Sequence, residues 1–306
     1  MSLNKKQADK LKKIAATSSI CLALFLCLIK GLAVAYTNSL AILSSMIDSL
    51  SDIFASLITF FAIKISTKPA SNNYRYGYGK AEALSALFQA GFVAAAGLFI
   101  LYDTILRLKN PTNLSQTNIG LAIMVFSLIS TLALVLFQRI VAKKTNSQAI
   151  LADSLHYSVD ILTNFSIIFS LITIKFWNIN WLDPLIAGAI SLYLLHNAYK
   201  LGVDATQLLL DRELNDNIRQ SIFDIVSKHY LSPKIHDLRT RDLGGEYLFE
   251  FHLELDGNQT LNTTHKYTEE IETLIKESYP NSQIIIHQDP IGLKEDRLDN
   301  KLTKKA

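Results

Sequence analysis

Cysteine is scarce in this chain. Among 306 residues only Cys21 and Cys27 occur, both in the first apolar segment, six positions apart and without a CxxC pattern. This spacing puts them on roughly opposite faces of a helix, so we expect lipid-facing or core packing residues. No disulfide framework is indicated.

Further absences argue against whole functional classes. The segment Gly77-Tyr78-Gly79-Lys80 lacks the first Gly and the following Ser/Thr of a phosphate-binding loop, so no nucleotide is expected. No HExxH motif occurs, which argues against an intramembrane metalloprotease, and no enzymatic activity is predicted. The net charge of +3 carries no nucleic-acid signal.

Long apolar segments are abundant instead. Hydrophobic residues make up 49% of the chain and are concentrated in its first two-thirds. A bilayer span needs about 20 apolar residues. Six windows qualify: Ile14–Tyr36, Ser39–Ile63, Ala83–Tyr102, Ile119–Phe137, Ser154–Ile174 and Pro184–Val203. The first is too long for a signal peptide. The sequence therefore predicts an α-helical membrane protein with six transmembrane helices.

The distribution of Lys and Arg predicts the orientation of these helices. With six spans both termini lie on one side, and that side carries most of the basic residues, in 5–13, 64–80 and 139–144. The other side holds only Arg107, Lys109 and Lys175. Because cytoplasmic loops are richer in Lys and Arg, we expect both termini to be cytoplasmic.

Composition changes abruptly after Leu210, and this divides the chain. We predict a cytoplasmic N-terminal segment (1–13), a six-helix membrane domain (14–211), a cytoplasmic α/β domain (212–290) and a disordered charged tail (291–306). Periodicity within 212–290 predicts an αββαβ, ferredoxin-like or metallochaperone-like domain with helices on one face of a small sheet. Its elements are the helix Leu214–Tyr230, the strands Ile235–Asp242 and Tyr247–Leu255, the helix Asn262–Tyr279 and the strand Gln283–Asp289.

Carboxylates interrupt two of the apolar windows. Asp48 and Asp52 are four residues apart, as are His156 and Asp160, so each pair shares one helix face. Each mid-bilayer charge costs about 2.5–3.5 kcal/mol. A polar network that merely joins helices is the alternative, but ionised carboxylates repel one another and need a cation between them. The four side chains suit a divalent transition metal. Lys30, in the first window, is expected to snorkel or to pair with an acidic group.

Five short motifs, spread over nearly the whole length, resemble the cation diffusion facilitator family, in particular its bacterial zinc/iron efflux branch. They are Asp48-Ser-Leu-Ser-Asp52, Gly77-Tyr-Gly79-Lys80-Ala-Glu82, His156-Tyr-Ser-Val-Asp160, His236-Asp-Leu-Arg-Thr-Arg241 and His287-Gln-Asp-Pro290. The resemblance implies a location in the inner (plasma) membrane. It also implies that the second and fifth helices supply the four ligands of a transport site. This is the role that the burial argument reaches for Asp48, Asp52, His156 and Asp160.

The resemblance also assigns two features of the cytoplasmic side. It implies an electrostatic latch between Lys80 and Asp211, at the end of the membrane domain. In the loop 66–80, relatives carry an Asp and two His that form an accessory metal site. The matching positions are Ser71, Tyr74 and Tyr78, none of which is a good ligand for a divalent ion, so we predict that the accessory site is absent or crippled.

The C-terminal domain carries a third group of candidate ligands. Isolated histidines on polar faces are usually unremarkable, but five N/O candidates occur within about eighty residues. Each matches a family ligand position: His236, His252, His265, His287 and Asp289. In relatives these residues bind two zinc ions at a dimer interface, which implies a homodimer and cytoplasmic metal sensing. Histidine with a carboxylate partner suits zinc.

These observations predict a divalent metal cation/proton antiporter that exports Zn²⁺ from the cytoplasm by alternating access. Fe²⁺, Cd²⁺, Co²⁺ and Mn²⁺ are alternative substrates of the same ligand set. Protons are the expected counter-transported ion, because metal ligands must lose protons to bind. The rival class is a membrane-anchored metal sensor, in which the helices only hold the soluble domain in place.

Overall fold

The computed structural model describes residues 4–37, 40–109, 118–177, 182–229, 233–294 and 296–303. The chain forms two compact units, residues 1–206 and residues 207–306. Residues 110–113, where the sequence Asn-Pro-Thr-Asn predicts a break after the third apolar window, lie outside the described residues.

The first unit consists, in its described part, of long helices. They are α1 (Lys5–Thr37), α2 (Leu40–Ser66), α3 (Ala81–Lys109), α4 (Asn118–Thr145), α5 (Gln148–Trp177) and α6 (Leu182–Leu209). Apart from Ser39, which is not described, every predicted apolar window lies within one of them. The helices extend beyond the windows because their polar ends continue the helical hydrogen bonding.

Helices α1 to α4 are long and apolar enough to cross a membrane. Among the described residues the qualifying segments are Lys6–Ala35, Asp48–Ser66, Ala81–Leu106 and Ala122–Thr145. Large apolar side chains on these helices stand exposed on the outside of the unit, among them Leu32, Phe54 and Phe99. A lipid environment would cover such side chains. The predicted helical membrane domain is confirmed, with four of the six spans meeting this criterion.

Small residues line the contacts between the helices. Ala15 and Ala16 of α1 pack with Ile63 of α2 and with Ala149 and Ile150 of α5. Alanines of α3, α5 and α6 form a second cluster: Ala86, Ala90, Ala152 and Ala205. Small side chains let helix backbones approach closely, which is how membrane helices pack without a hydrophobic driving force.

The second unit is a small α/β fold. Its elements are α7 (Asp216–Ser227), β1 (Ile235–Asp242), β2 (Tyr247–Leu255), α8 (Leu261–Ser278), β3 (Ser282–Pro290) and α9 (Leu298–Thr303). The sheet order is β1-β2-β3, with β1 antiparallel and β3 parallel to β2. Gly244 and Gly245 turn the chain between β1 and β2 with φ of 97° and 98°, where a side chain would be strained. The predicted αββαβ order is confirmed.

Alternation along β2 separates the core from the opposite face. Phe249, Phe251 and Leu253 are fully buried and pack against apolar residues of α7 and α8, including Ile222 and Ile271. The intervening side chains, which include His252, are only half-buried. This period of two is the pattern that the sequence predicts for a strand with one face on the core.

The C-terminal segment differs from its prediction. A disordered tail was expected from residue 291, but α9 lies at Leu298–Thr303. The Asp237 carboxylate accepts the backbone N–H groups of Leu298 (2.9 Å) and Asp299 (3.0 Å), and the Asp237 N–H donates to Asp299 Oδ2 (2.9 Å). Burial acts to raise the pKa of Asp237, but these backbone donors lower it overall. These reciprocal hydrogen bonds cap the start of α9 and hold it in place. Amino-acid composition, on which the prediction of disorder was based, does not reveal such a cap.

Candidate metal sites

Helices α2 and α5 bring two of the predicted intramembrane residues into contact. Asp52 Oδ1 lies 3.2 Å from His156 Nε2, and Asp52 is 7% exposed. The i,i+4 spacing then places Asp48 and Asp160 one turn further along the two helices. The Asp160 carboxyl is close enough to that of Asp52 for their charges to interact. Asp48 is exposed on the surface of the isolated chain. The structure thus joins Asp52 and His156 directly, with Asp160 near them and Asp48 at the edge.

Lys30 of α1 reaches the same region. Its Nζ donates to Ser49 Oγ at 2.7 Å, and the residue is 8% exposed. Its charge interacts with those of Asp48 and Asp160. Of the two expectations for Lys30, snorkelling is wrong, because its ammonium group is buried.

A fully buried carboxylate, Asp153, lies one turn before His156 on α5 and was missed in the sequence. Its Oδ2 accepts Gln138 Nε2 at 2.6 Å and its Oδ1 accepts Thr59 Oγ1 at 3.3 Å. Gln138 Nε2 also donates to Ser19 Oγ at 2.7 Å. Asp153 was not identified from the sequence because it stands just outside the apolar window that begins at Ser154. Its spacing of three from His156, which puts both residues on one helix face, could have indicated its role.

A buried ion pair joins α1 and α3. Lys12 Nζ lies 2.7 Å from Glu82 Oε1, with both side chains less than a tenth exposed. Glu82 also accepts hydrogen bonds from Ser66 (3.0 Å) and from Ser147. Glu82 belongs to the motif that begins at Gly77. Its contacts tie the ends of four helices together.

The loop between α2 and α3 is held by its own side chains at the three positions where relatives place ligands. Ser71 and Tyr78 share a hydrogen bond of 3.0 Å between their hydroxyls. The rings of Tyr74 and Tyr78 lie 4.6 Å apart. The three side chains thus contact one another, and the absence of an accessory metal site stays a prediction.

In the second unit, three histidines form a row across the sheet. His236 of β1 pairs in register with His252 of β2, which pairs with His287 of β3. The ring centroids are 5.0 Å apart for His236 and His252, and 4.7 Å apart for His252 and His287. All three lie on the face opposite the core. His252 and His287 alternate with core positions on their strands. On β1 a bulge between His236 and Arg239 allows His236 and the core residue Leu238 to face opposite ways although they are two positions apart. Strand pairing therefore assembles residues that are far apart in the sequence.

Asp289 sits at the centre of this row. Its Oδ2 lies 2.7 Å from His252 Nδ1 and 3.5 Å from His236 Nε2, and its Oδ1 lies 3.3 Å from His287 Nε2. In the described part of the chain, His236, His252 and Asp289 form the one group of three candidate ligands whose atoms lie within 4.8 Å of one another. Two imidazoles and a carboxylate at this spacing fit a zinc ion, and the second carboxylate oxygen faces His287.

The carboxylate of Glu254 lies beside His236, the buried member of the histidine row. His236 is 5% exposed, and its Nδ1 lies 3.5 Å from Glu254 Oε1. Glu254 in turn accepts Arg297 Nη2 at 2.7 Å. At 3.5 Å Glu254 acts on the His236 ring through its charge, while the other nitrogen, Nε2, faces Asp289. Neither Glu254 nor Arg297 was predicted from the sequence.

Two predicted features lie apart from these groups. His265, on α8, is exposed and lies 3.4 Å from Glu269 on its own helix, so the structure does not bring it to Asp289. Asp211 of the proposed latch forms an ion pair of 3.2 Å with Arg241 inside the second unit. Lys80 belongs to the first unit, and its pairing with Asp211 stays a prediction.

Comparison with known families matches nearly the whole chain. Residues 16–210 match the profile described as cation efflux transmembrane domain. Residues 214–291 match the profile described as cation efflux protein, cytoplasmic domain. The boundary between the two matches agrees with the division of the structure near residue 207.

Two curated proteins resemble the chain over most of its length. The cation-efflux pump FieF of Salmonella arizonae is 40% identical over 279 residues, covering 91% of this chain and 93% of its own. The cation-efflux pump FieF of Shewanella oneidensis is 39% identical over 287 residues, covering 93% and 96%. A solved structure of the metal-bound C-terminal domain of the CzcD transporter from Thermotoga maritima matches 26% of this chain and 93% of its own, at 23% identity and a TM-score of 0.25.

Proposed function

This chain belongs to the cation efflux family, and from that premise we propose that it exports a divalent transition metal, Zn²⁺ first, in exchange for protons. Cation efflux itself is the activity of the family. The choice of metal, the proton coupling and the residues involved are the proposal. The observation that carries it is the contact of Asp52 with His156 between α2 and α5.

The substrate site would consist of Asp48, Asp52, His156 and Asp160. Three carboxylates and an imidazole suit Zn²⁺ and also accept Fe²⁺, Cd²⁺, Co²⁺ and Mn²⁺. Asp52 and His156, already in contact, supply the core of the coordination, with Asp160 one turn further along α5. Asp48, one turn from Asp52 on α2, would be the fourth ligand.

Proton exchange follows from the chemistry of these ligands. Each must be deprotonated to hold the metal, so metal and protons compete for the same atoms. On the side of higher proton activity, protonation weakens the coordination and the metal leaves. Rocking of helices around the site would expose it to one side at a time. Cytoplasmic termini in the inner membrane are the orientation in which this cycle removes metal from the cell.

The cluster in the second unit would be regulatory. His236, His252 and Asp289 would hold one zinc ion, and His287 faces the other oxygen of Asp289, where a second ion would bind. A bound ion would screen the carboxylate and draw β1, β2 and β3 together at this end. In a homodimer, the assembly that the family resemblance implies, the exposed His265 would contribute from α8. Lys80 and Asp211 remain the proposed latch.

A membrane-anchored sensor is the second candidate. It is favoured by one observation, the compact arrangement of His236, His252 and Asp289. In a sensor this cluster would be the functional centre, and the side chains on α2 and α5 would only join helices.

The two candidates differ in the order of mutant effects. We expect Zn²⁺ flux into proteoliposomes under a fixed pH gradient to vanish with Asp52→Ala and only to weaken with His252→Ala. Asp224→Ala, at an exposed position of α7, is the matched control and should behave as the parent. Absence of flux by the parent above that of protein-free vesicles, together with Zn²⁺ binding that His252→Ala abolishes and Asp52→Ala leaves intact, would establish the sensor instead. The same assay across a metal series identifies the substrate.

A further inference from the structure

A buried lysine lies beside the proposed substrate site without belonging to its ligand set. Lys30 of α1 is 8% exposed, and its Nζ donates to Ser49 Oγ at 2.7 Å. Ser49 is fully buried and directly follows Asp48 on α2. The ammonium group therefore lies against the segment that carries Asp48 and Asp52.

The hydrogen bond to Ser49 alone does not explain a lysine at this position. A charged side chain within the membrane costs about 2.5–3.5 kcal/mol, whereas a neutral amide would satisfy Ser49 more cheaply. The ammonium is also close enough to the carboxyls of Asp48 on α2 and Asp160 on α5 for their charges to interact. The positive charge of Lys30, and not only its hydrogen bond, therefore interacts with the groups around it.

A count of charges indicates what this group does. The proposed site carries three carboxylates, so a bound dication alone would leave it with one negative charge. With the Lys30 ammonium the loaded site is neutral. A monovalent ion would leave it negative, and a trivalent ion would leave it positive. Neutrality matters because an uncompensated charge buried between helices is costly.

We propose that Lys30 is the internal counter-cation of the substrate site, which matches the site to a dication and weakens binding enough for release. Lys30 touches no metal in this scheme and acts through the electrostatic potential at the carboxylates. The inference rests on the proposed function, because it presumes that Asp48, Asp52, His156 and Asp160 bind the substrate.

Three substitutions separate the charge from the hydrogen bond. Lys30→Gln removes the charge and keeps a donor for Ser49, Lys30→Arg keeps the charge, and Ser49→Ala removes the acceptor and keeps Lys30. All are made in a full-length Asp289→Asn parent, so that the cluster of the second unit does not contribute. Zn²⁺ binding is measured by titration calorimetry in mildly alkaline buffer, where protons compete least. Zn²⁺ flux is measured in proteoliposomes.

For Lys30→Gln we expect a Kd for Zn²⁺ at least about tenfold lower than that of the parent, because a charge repelling the dication at close range is gone. KM should fall together with kcat, since tighter binding slows release. Lys30→Arg and Ser49→Ala should keep the parent's affinity. A structural defect would not lower KM. Unchanged or weaker binding in Lys30→Gln, or tightening in Ser49→Ala as well, would overturn the proposal.

Folding and the premise are tested separately. Zn²⁺ should raise the thermal unfolding temperature of Lys30→Gln and Lys30→Met, which lack the positive charge, more than it raises that of the parent. If Lys30→Gln and Lys30→Met both fail to fold even with Zn²⁺ present, Lys30 is structural and the proposal is wrong. If the parent itself shows no Zn²⁺ binding that Asp52→Ala abolishes, the proposed function fails first, before Lys30 is altered.

Discussion

Asp289→Asn tests the cluster of the second unit. The Asp289 carboxylate is shared by three imidazoles, at 2.7 Å from His252, 3.5 Å from His236 and 3.3 Å from His287. It is 5% exposed, so water does not replace it readily. The substitution keeps the volume of the side chain. It removes the negative charge and replaces one oxygen by an NH₂ group, which cannot bind a metal.

The size of the effect follows from this geometry. Loss of an outer-shell partner of a metal site costs about 10- to 100-fold in affinity, so loss of a shared ligand should cost at least about 100-fold. Without metal, the cost should be that of a hydrogen bond to a charged group, about 1.5–3 kcal/mol. At a Zn²⁺ concentration of about 100 times Kd, the parent gains about 2.7 kcal/mol of stability, which the variant should not gain.

The assay is Zn²⁺ titration calorimetry on the full-length chain in detergent, in an Asp52→Ala background that silences the substrate site. Hydrogen exchange of β2 and β3 gives a second measurement, since metal should protect these strands in the parent alone. Asp224→Asn, exposed on α7, is the matched control. Unchanged stoichiometry and affinity in Asp289→Asn would refute the assignment of this cluster as a zinc site.

Three further predictions concern other parts of the chain. The triple variant Ser71→Asp, Tyr74→His, Tyr78→His introduces three ligands into the loop between α2 and α3. It should bind one additional zinc ion, which titration calorimetry would detect. Glu82→Ala should destabilise the chain by about 3–5 kcal/mol, because Lys12 would keep a buried charge, and the double variant with Lys12→Ala should unfold at a higher temperature than Glu82→Ala alone. Asp237→Ala should release α9, seen as faster hydrogen exchange at Leu298 and Asp299; equal exchange in both proteins would mean that the cap does not hold the helix.

Elements with a strong periodic signal could be predicted from the sequence. The six apolar windows correspond to α1–α6, since about 20 apolar residues in succession leave few alternatives to a helix. The alternation from Tyr247 to Leu255 predicted β2 correctly. The pairs Asp48/Asp52 and His156/Asp160 were assigned to common helix faces because helical geometry makes i and i+4 neighbours. These are local properties of the chain.

Other features depend on contacts between distant segments. Asp153 looked unremarkable until α2 and α4 enclosed it with Thr59 and Gln138. The helix α9 forms where Asp237, more than sixty residues away, caps it. The composition of residues 291–306 predicted disorder because composition contains no information about the Asp237 carboxylate, which is distant in the sequence.

The sequence by itself determined the membrane helices, the α/β domain and the two ligand pairs, because helix and strand periods are written into neighbouring residues. Only the tertiary structure decided that His236, His252 and His287 form one row and that the Lys30 charge lies against Ser49. Strand register and helix packing set these distances. Both depend on burial and shape summed over the whole fold, which no local pattern of residues records.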